Sequence, residues 1–299
     1  GLAVFQINTF LDNVIAMALR APAEGAQAIA LFGMELPYPL QQGDVAALAW
    51  AQRLYEFPLG IFGIAIATAI FPALSRAGSD PDDPELFNFR AILQHGLRLT
   101  LFIGLPASIG LLVIRLPLVR LVFERGSFTL EDAQAVAYIL AGYAPAIWAY
   151  SMNHVLTRAF YALHDIRTPL AISVVMIVLN LVLNLTLVCP LGAMGFALST
   201  AICAILQCVL LVIALGNYVN RPADRLVWVS WIRTAGLSIF MLAALVPLSD
   251  VIHSERAVHS VLVFELVLVI GAGLLVYLGG AWSLDMEELS WLKKRKPDV

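Results

Sequence analysis

The chain has 299 residues, 61% of them hydrophobic and 13% charged, with a mean hydropathy of +0.86. A soluble domain carries about 25% charged residues, so this composition excludes a water-soluble globular protein and points to an integral membrane protein. A net charge of -3 brings no nucleic-acid signal, and Cys189, Cys203 and Cys208 show neither a metal spacing with histidine nor the even count of a disulfide framework.

Apolar stretches long enough to cross a bilayer, about 20 residues each, fall at 2–19, 46–74, 97–114, 133–163, 169–190, 192–219, 227–251 and 258–282. The prediction is an all-α integral membrane fold with eight transmembrane helices. The first stretch starts at Gly1 with no initiator methionine and no basic n-region, so it reads as an internal helix of a longer protein and not as a signal peptide. Residues 21–44 form an external loop with its own apolar patch, lying on the membrane surface or folding over the protein. Pro190 and Gly192 make the tight turn between the fifth and sixth spans. An even number of spans puts both ends on one side. Lys293, Lys294, Arg295 and Lys296 in the tail place that side in the cytoplasm by the positive-inside rule. Leu289, Trp291 and Leu292 beside those lysines read as an interfacial anchor or as a solvated helix end.

Several spans carry polar faces. In the first, Gln6, Asn8, Thr9, Asp12 and Asn13 share an arc of roughly 160°. In the second, Ala49, Arg53, Glu56, Gly60, Gly63 and Ala67 make one stripe. Small residues on such a stripe mark close helix packing. Two charges on it suggest that its outer end opens into a water-filled cavity, although Arg53 and Glu56 could simply neutralise each other. Pro58 between charges and glycines can kink the helix. The fourth span gathers Tyr150, Asn153, His154, Thr157, Arg158 and Tyr161; Arg158 and Tyr161 fall at the cytoplasmic interface, and the deeper Asn153 is the candidate substrate contact. Ser173, Asn180 and Asn184 share a face of the fifth span, while Gly195, Ser199, Cys203 and Gln207 on the sixth read as a packing seam. The seventh and eighth spans are nearly all apolar and read as lipid-facing.

Metal-dependent lipid-phosphate chemistry needs clustered acids, or a histidine with a nucleophile at the interface. The acids of "SDPDDPE" sit in one proline-rich loop and the five histidines are scattered. There is no Gly-rich phosphate loop before a helix. Polar faces at membrane depth without a catalytic cluster favour a secondary transporter or flippase over an enzyme.

Three stretches, "WAQRLYEFPLGIFGIAIATAIFPALS", "LVFERGSFTLEDAQ" and "RAFYALHDIRTP", resemble in order and spacing the MurJ (MviN) family of lipid II flippases. That family belongs to the multidrug/oligosaccharidyl-lipid/polysaccharide exporter superfamily. The resemblance implies the later part of a fourteen-helix plan, helices seven to fourteen. Residues 1–219 would be the second six-helix lobe, and 220–299 two additional helices with a basic cytoplasmic tail. It further implies alternating access that carries undecaprenyl-pyrophosphate-linked disaccharide-pentapeptide across the bacterial plasma membrane, with Arg53 contacting the anionic head group and Glu56 beside it. The first lobe is absent from this chain, so the chain alone is not expected to flip lipid. The alternatives are a polysaccharide-lipid flippase or drug exporter of the same superfamily, and, in a different class, a membrane enzyme or scaffold of cell-wall lipid metabolism.

Asp12 is the only carboxylate of the first span, and a buried unpaired carboxylate is costly unless neutralised. Asn180 and Asn184 are one helical turn apart, so their amide oxygens point the same way, and Thr200 can add a hydroxyl. Hard oxygen ligands with a single negative charge suit Na⁺ better than a transition metal. Asp12 could instead be protonated or hydrogen-bonded to Asn8 and Asn13, with the asparagines joining helices.

Overall fold

A computed structural model describes residues 2–22, 28–31, 34–80, 86–220, 222–252 and 259–293. Within lipid every backbone polar group must be paired inside the chain, which helices achieve segment by segment. The described residues wind into α1 (Leu2–Ala18), then α2 (Asp44–Pro58), which continues through a π-helical segment Leu59–Ile64 into α3 (Ala65–Gly78). α4 (Phe87–Phe123) follows, and α5 (Leu130–Tyr143) joins α6 (Ile147–Ala162) through a 3₁₀ turn. α7 (Arg167–Leu191) and α8 (Ala193–Leu215) form a hairpin. α9 (Arg225–Ile252), α10 (His259–Ser283) and the short α11 (Glu287–Lys293) complete the order. The external loop contains an antiparallel pair, β1 (Ala28–Leu31) and β2 (Met34–Pro37), the only strands among the described residues.

Seven helical rods among the described residues are long and apolar enough to cross a membrane, from Asp44–Gly78 to Val261–Ser283. The remaining expected span is α1, whose 17 residues rise about 25 Å, slightly less than a hydrocarbon core of about 30 Å. α4 runs well past the 97–114 expected for it. The arginines toward its ends have carboxylate partners: Arg90 with Asp224, Arg98 with Glu287 and Glu288, and Arg120 with Glu124.

Two apolar clusters hold the lobe together. One gathers Tyr55, Leu111, Tyr143, Tyr150 and Phe196 from α2, α4, α5, α6 and α8, and the other joins α3, α4, α6 and α8 around Leu74, Leu97, Phe160 and Leu211. A third attaches α9 and α10 to the outer side of α4 through Phe102, Leu237, Met241 and Tyr277, and Tyr277 Oη donates to the Phe102 carbonyl at 2.7 Å. α4 is thus the wall shared by the lobe and the extra pair. Phe240 and Leu274 on that pair are 62% and 54% exposed, whereas Leu237 and Leu266 are buried at 9% and 5%. An apolar face therefore remains for lipid, and it excludes Leu237 and Leu266.

The chain end docks onto α4. Glu288, 1% exposed, accepts from Arg98 Nε at 2.7 Å and Ser230 Oγ at 2.6 Å. Trp291 stacks on His95 at 3.8 Å and lies 4.8 Å below the Arg98 guanidinium. Trp291 is therefore taken up by protein contacts, in place of the interfacial anchor or solvated end expected from its neighbours. Residues 81–85 and the basic tail beyond 293 lie outside the described residues, as does Arg256.

Candidate functional site

The second rod explains why its stripe divides. Proline at position 58 lacks an N–H, and the helix continues with wider π turns from Leu59 to Ile64. A π turn advances roughly 18° less per residue than an α turn, so six residues rotate the following face by roughly 110°. Arg53, Glu56 and Gly60 are accordingly exposed while Gly63 and Ala67 are buried. A Cβ on Gly63 would lie 2.6 Å from Ser151 Oγ and 2.9 Å from its Cα, so only glycine permits this approach to α6. Arg53 makes no ion pair with Glu56; its guanidinium sits 5.6 Å from the Trp50 ring centroid. The two charges are not in contact, although each lies within the other's field.

The polar faces of α1, α7 and α8 meet in a buried cluster. Asp12 is 4% exposed and Asn184 fully buried. Asn184 Nδ2 donates to Asp12 Oδ1 at 2.6 Å and to Asn180 Oδ1 at 2.9 Å, and Asn8 Nδ2 donates to Asp12 Oδ2 at 3.3 Å. Ser199 Oγ donates to Asn184 Oδ1, and Asn180 Nδ2 reaches Ser199 Oγ at 3.4 Å and Thr200 Oγ1 at 3.3 Å. Asn13 turns away to its own helix, donating to the Thr9 carbonyl at 2.9 Å. The four residues expected to share an ion, Asp12, Asn180, Asn184 and Thr200, lie in one hydrogen-bonded group.

The Asn180 amide carries the most informative geometry. Its atom facing α1 lies 2.9 Å from Asp12 Oδ1 and 3.2 Å from Asn8 Oδ1. With the nitrogen there, the amide donates to both. With the oxygen there, it accepts from Asn184 Nδ2 at 2.9 Å. The two orientations have the same shape, so the hydrogen-bond network decides between them. The donors are all oxygens with one carboxylate, which fits a hard monovalent cation. Among the described residues no group of three His, Cys, Asp or Glu could hold a transition metal.

Asn153 does not join Arg53. It lines a cavity of about 310 Å³ between α1, the π segment, α6, α7 and α8, which also takes in Asn8, Asn180 and Thr200 but neither Arg53 nor Glu56. Asn153 Nδ2 donates to the Ala204 carbonyl at 2.9 Å, while its Oδ1 and the Tyr150 hydroxyl are buried without a partner. Stacked Tyr55 and Tyr150 rings, 5.4 Å apart, connect α2 to this cavity's α6 wall. The sequence reading undervalued α8: Ser199 belongs to the cluster, and Cys203 and Gln207 line the cavity. Their four-residue spacing fits a polar face as well as a packing seam, and Gln207, too large for a seam, was the available signal.

Long apolar helices with polar residues buried between them define a multi-pass membrane protein. Solved structures share the fold. Lipid II flippase MurJ in an inward closed conformation aligns over 96% of this chain and 52% of its own length, with a TM-score of 0.72 at 23% identity. An outward-facing multidrug resistance MATE family transporter of the MOP superfamily aligns over 97% of this chain and 64% of its own, with a TM-score of 0.52 at 15% identity. The family profile "Lipid II flippase MurJ" matches residues 1–267, and the chain belongs to that family. The probable lipid II flippase MurJ of Vibrio cholerae is 34% identical over 211 residues, covering 71% of this chain and 36% of the relative. That of Rhizobium meliloti is 31% identical over 262 residues, covering 85% and 48%. The chain thus spans between a third and a half of the length of these relatives.

Proposed function

We propose that the chain supplies the second lobe and two additional helices of a lipid II flippase in the bacterial plasma membrane, with both ends of the chain cytoplasmic. The family match across residues 1–267 carries this reading. In it, Arg53 faces the translocation cavity and binds the pyrophosphate of the lipid-linked disaccharide-pentapeptide. A guanidinium offers two parallel donors to phosphate oxygens, which a lysine ammonium does not reproduce. Glu56, one turn away and unpaired with Arg53, competes for that guanidinium and aids release. Sodium bound at Asp12, Asn180, Asn184 and Thr200 supplies the coupling ion, held by the carboxylate and the neighbouring amide and hydroxyl oxygens. Asn153 serves the ion cavity and not the head group.

The test places Arg53→Ala and Arg53→Lys in a full-length protein carrying this lobe, in cells depleted of their own flippase. Both variants should insert normally. Arg53→Ala should fail to support growth, and Arg53→Lys should support it only weakly. Wild-type growth with Arg53→Ala would remove Arg53 from the site.

A further inference from the structure

We propose that the cavity beside α6 is a hydrated path through which a monovalent cation reaches the Asp12 cluster, with Arg158 guarding its mouth. This rests on the cation reading of that cluster.

The lining is continuous from the cluster to the end of a helix. Asn8, Asn180 and Thr200 lie at one end, and Arg158 and Tyr161 at the other, in the last turn of α6 before Ala162. Asn180 lies 13 residues beyond Arg167, where α7 begins, or about 20 Å along the axis. The cavity therefore joins mid-helix depth to the level of the α6–α7 turn.

Its walls mix apolar side chains with polar groups that need water. The Tyr150 hydroxyl and Asn153 Oδ1 belong to side chains 8% and 9% exposed, yet neither has a protein partner. Buried polar atoms are normally satisfied by protein or ordered water, and an apolar cavity would stay dry. Across the cavity Gln207 donates to Ser173 Oγ at 3.1 Å, adding a polar wall from α7 and α8. A volume of about 310 Å³ has room for about ten waters. That is sufficient for a cation with part of its hydration shell.

Arg158 supplies the control. It is half-buried at the mouth, and no carboxylate among the described residues pairs with it. An uncompensated guanidinium repels an entering cation when it points across the mouth and releases it when it swings toward water. Anionic head groups at the membrane surface would draw it aside, linking ion entry to the surrounding lipid.

Two native thiols test the path. Cys203 and Cys208 are equally buried, at 6% and 5%, but only Cys203 lines the cavity, while Cys208 belongs to an apolar core. Single-thiol forms of the full-length protein, made by Cys→Ser changes, are held in vesicles. They are treated with 2-(trimethylammonium)ethyl methanethiosulfonate from the side carrying the α6–α7 turn, and labelling is read by intact mass. Cys203 should react at least tenfold faster than Cys208, and sodium in place of N-methylglucamine should slow it at least threefold. Arg158→Gln should accelerate the cationic reagent at least threefold and leave an uncharged methanethiosulfonate unchanged, and Arg158→Lys should preserve the wild-type rate. Cys203 as slow as Cys208 would overturn the path. Equal acceleration of charged and uncharged reagents by Arg158→Gln would overturn the guard. Fast labelling that sodium does not slow would overturn the cation reading beneath it while leaving a water path.

Discussion

Removing the Asn184 amide should expose how strongly the cluster depends on the Asp12 charge. Asn184 is fully buried and gives Asp12 its short hydrogen bond, 2.6 Å against 3.3 Å from Asn8. A hydrogen bond to a charged group contributes roughly 1.5–3 kcal/mol, more than a neutral one. Asn184→Ala and Asp12→Asn should therefore be coupled. Their double variant should be more stable than additivity predicts by roughly 1.5–3 kcal/mol, whereas independent sites add to within about 0.5 kcal/mol. At roughly 2–4 °C per kcal/mol, the non-additive shift in melting temperature is roughly 3–12 °C. The assay is thermal unfolding of the purified full-length protein and its three variants in detergent, free of sodium. Sodium at 100 times its dissociation constant should then add about 2.7 kcal/mol to the wild type and nothing to Asp12→Asn. Additive shifts in sodium-free buffer, or equal sodium stabilisation of Asp12→Asn, would refute the reasoning.

Arg98→Ala should loosen the docked chain end by roughly 3–5 kcal/mol, because it leaves Glu288 buried and unpaired; unchanged hydrogen exchange over α11 would count against this. Burial opposes the Glu288 charge, but hydrogen bonds from Ser230 and Arg98, with the Arg98 charge, outweigh it and hold the carboxyl below its ordinary value of 4.5. A lowered folded value stabilises above the ordinary value, so protection of α11 should persist above pH 4.5 and fall as pH drops through the lower folded value. Glu288→Gln should remove that dependence. Gly63→Leu should cost roughly 1–3 kcal/mol by pushing α6 away, seen as a lower melting temperature with Gly60→Leu, which meets open space, as the control. Photo-crosslinking groups at Phe240 and Leu274 should capture prenyl lipid and those at Leu237 and Leu266 should not; labelling at all four positions would count against a single lipid-binding face on α9 and α10.

Composition and span length made the membrane class and most helices legible, because a bilayer demands long apolar helices whatever their packing. The resemblance, carried mainly by the stretch around Arg53, supplied the lobe-plus-pair plan. What stayed hidden depended on contacts between distant segments. α4 outran its expected limits because Asp224, Glu287 and Glu288, more than a hundred residues away, absorb its arginines. The division of the second span's stripe depended on π turns after Pro58, which a regular 100° wheel does not represent. Asp12, Asn180, Asn184 and Thr200 were readable as a group because Asp12 is the only carboxylate of its span and the two asparagines lie one helical turn apart, facing the same way. Asn153 was placed with Arg53 because depth was visible in sequence and facing direction was not. Ser199 and Gln207 were missed because a polar face and a packing seam share the same four-residue period.

In the proposed function, sodium at Asp12 drives the movement of a lipid-linked precursor. The most direct test is translocation of lipid II by the reconstituted full-length protein, read as head-group accessibility in the opposite leaflet, with and without a sodium gradient. Wild-type translocation should rise with the gradient, and Asp12→Asn should lose that dependence while still inserting normally. Translocation at the same rate with no sodium on either side would contradict the account.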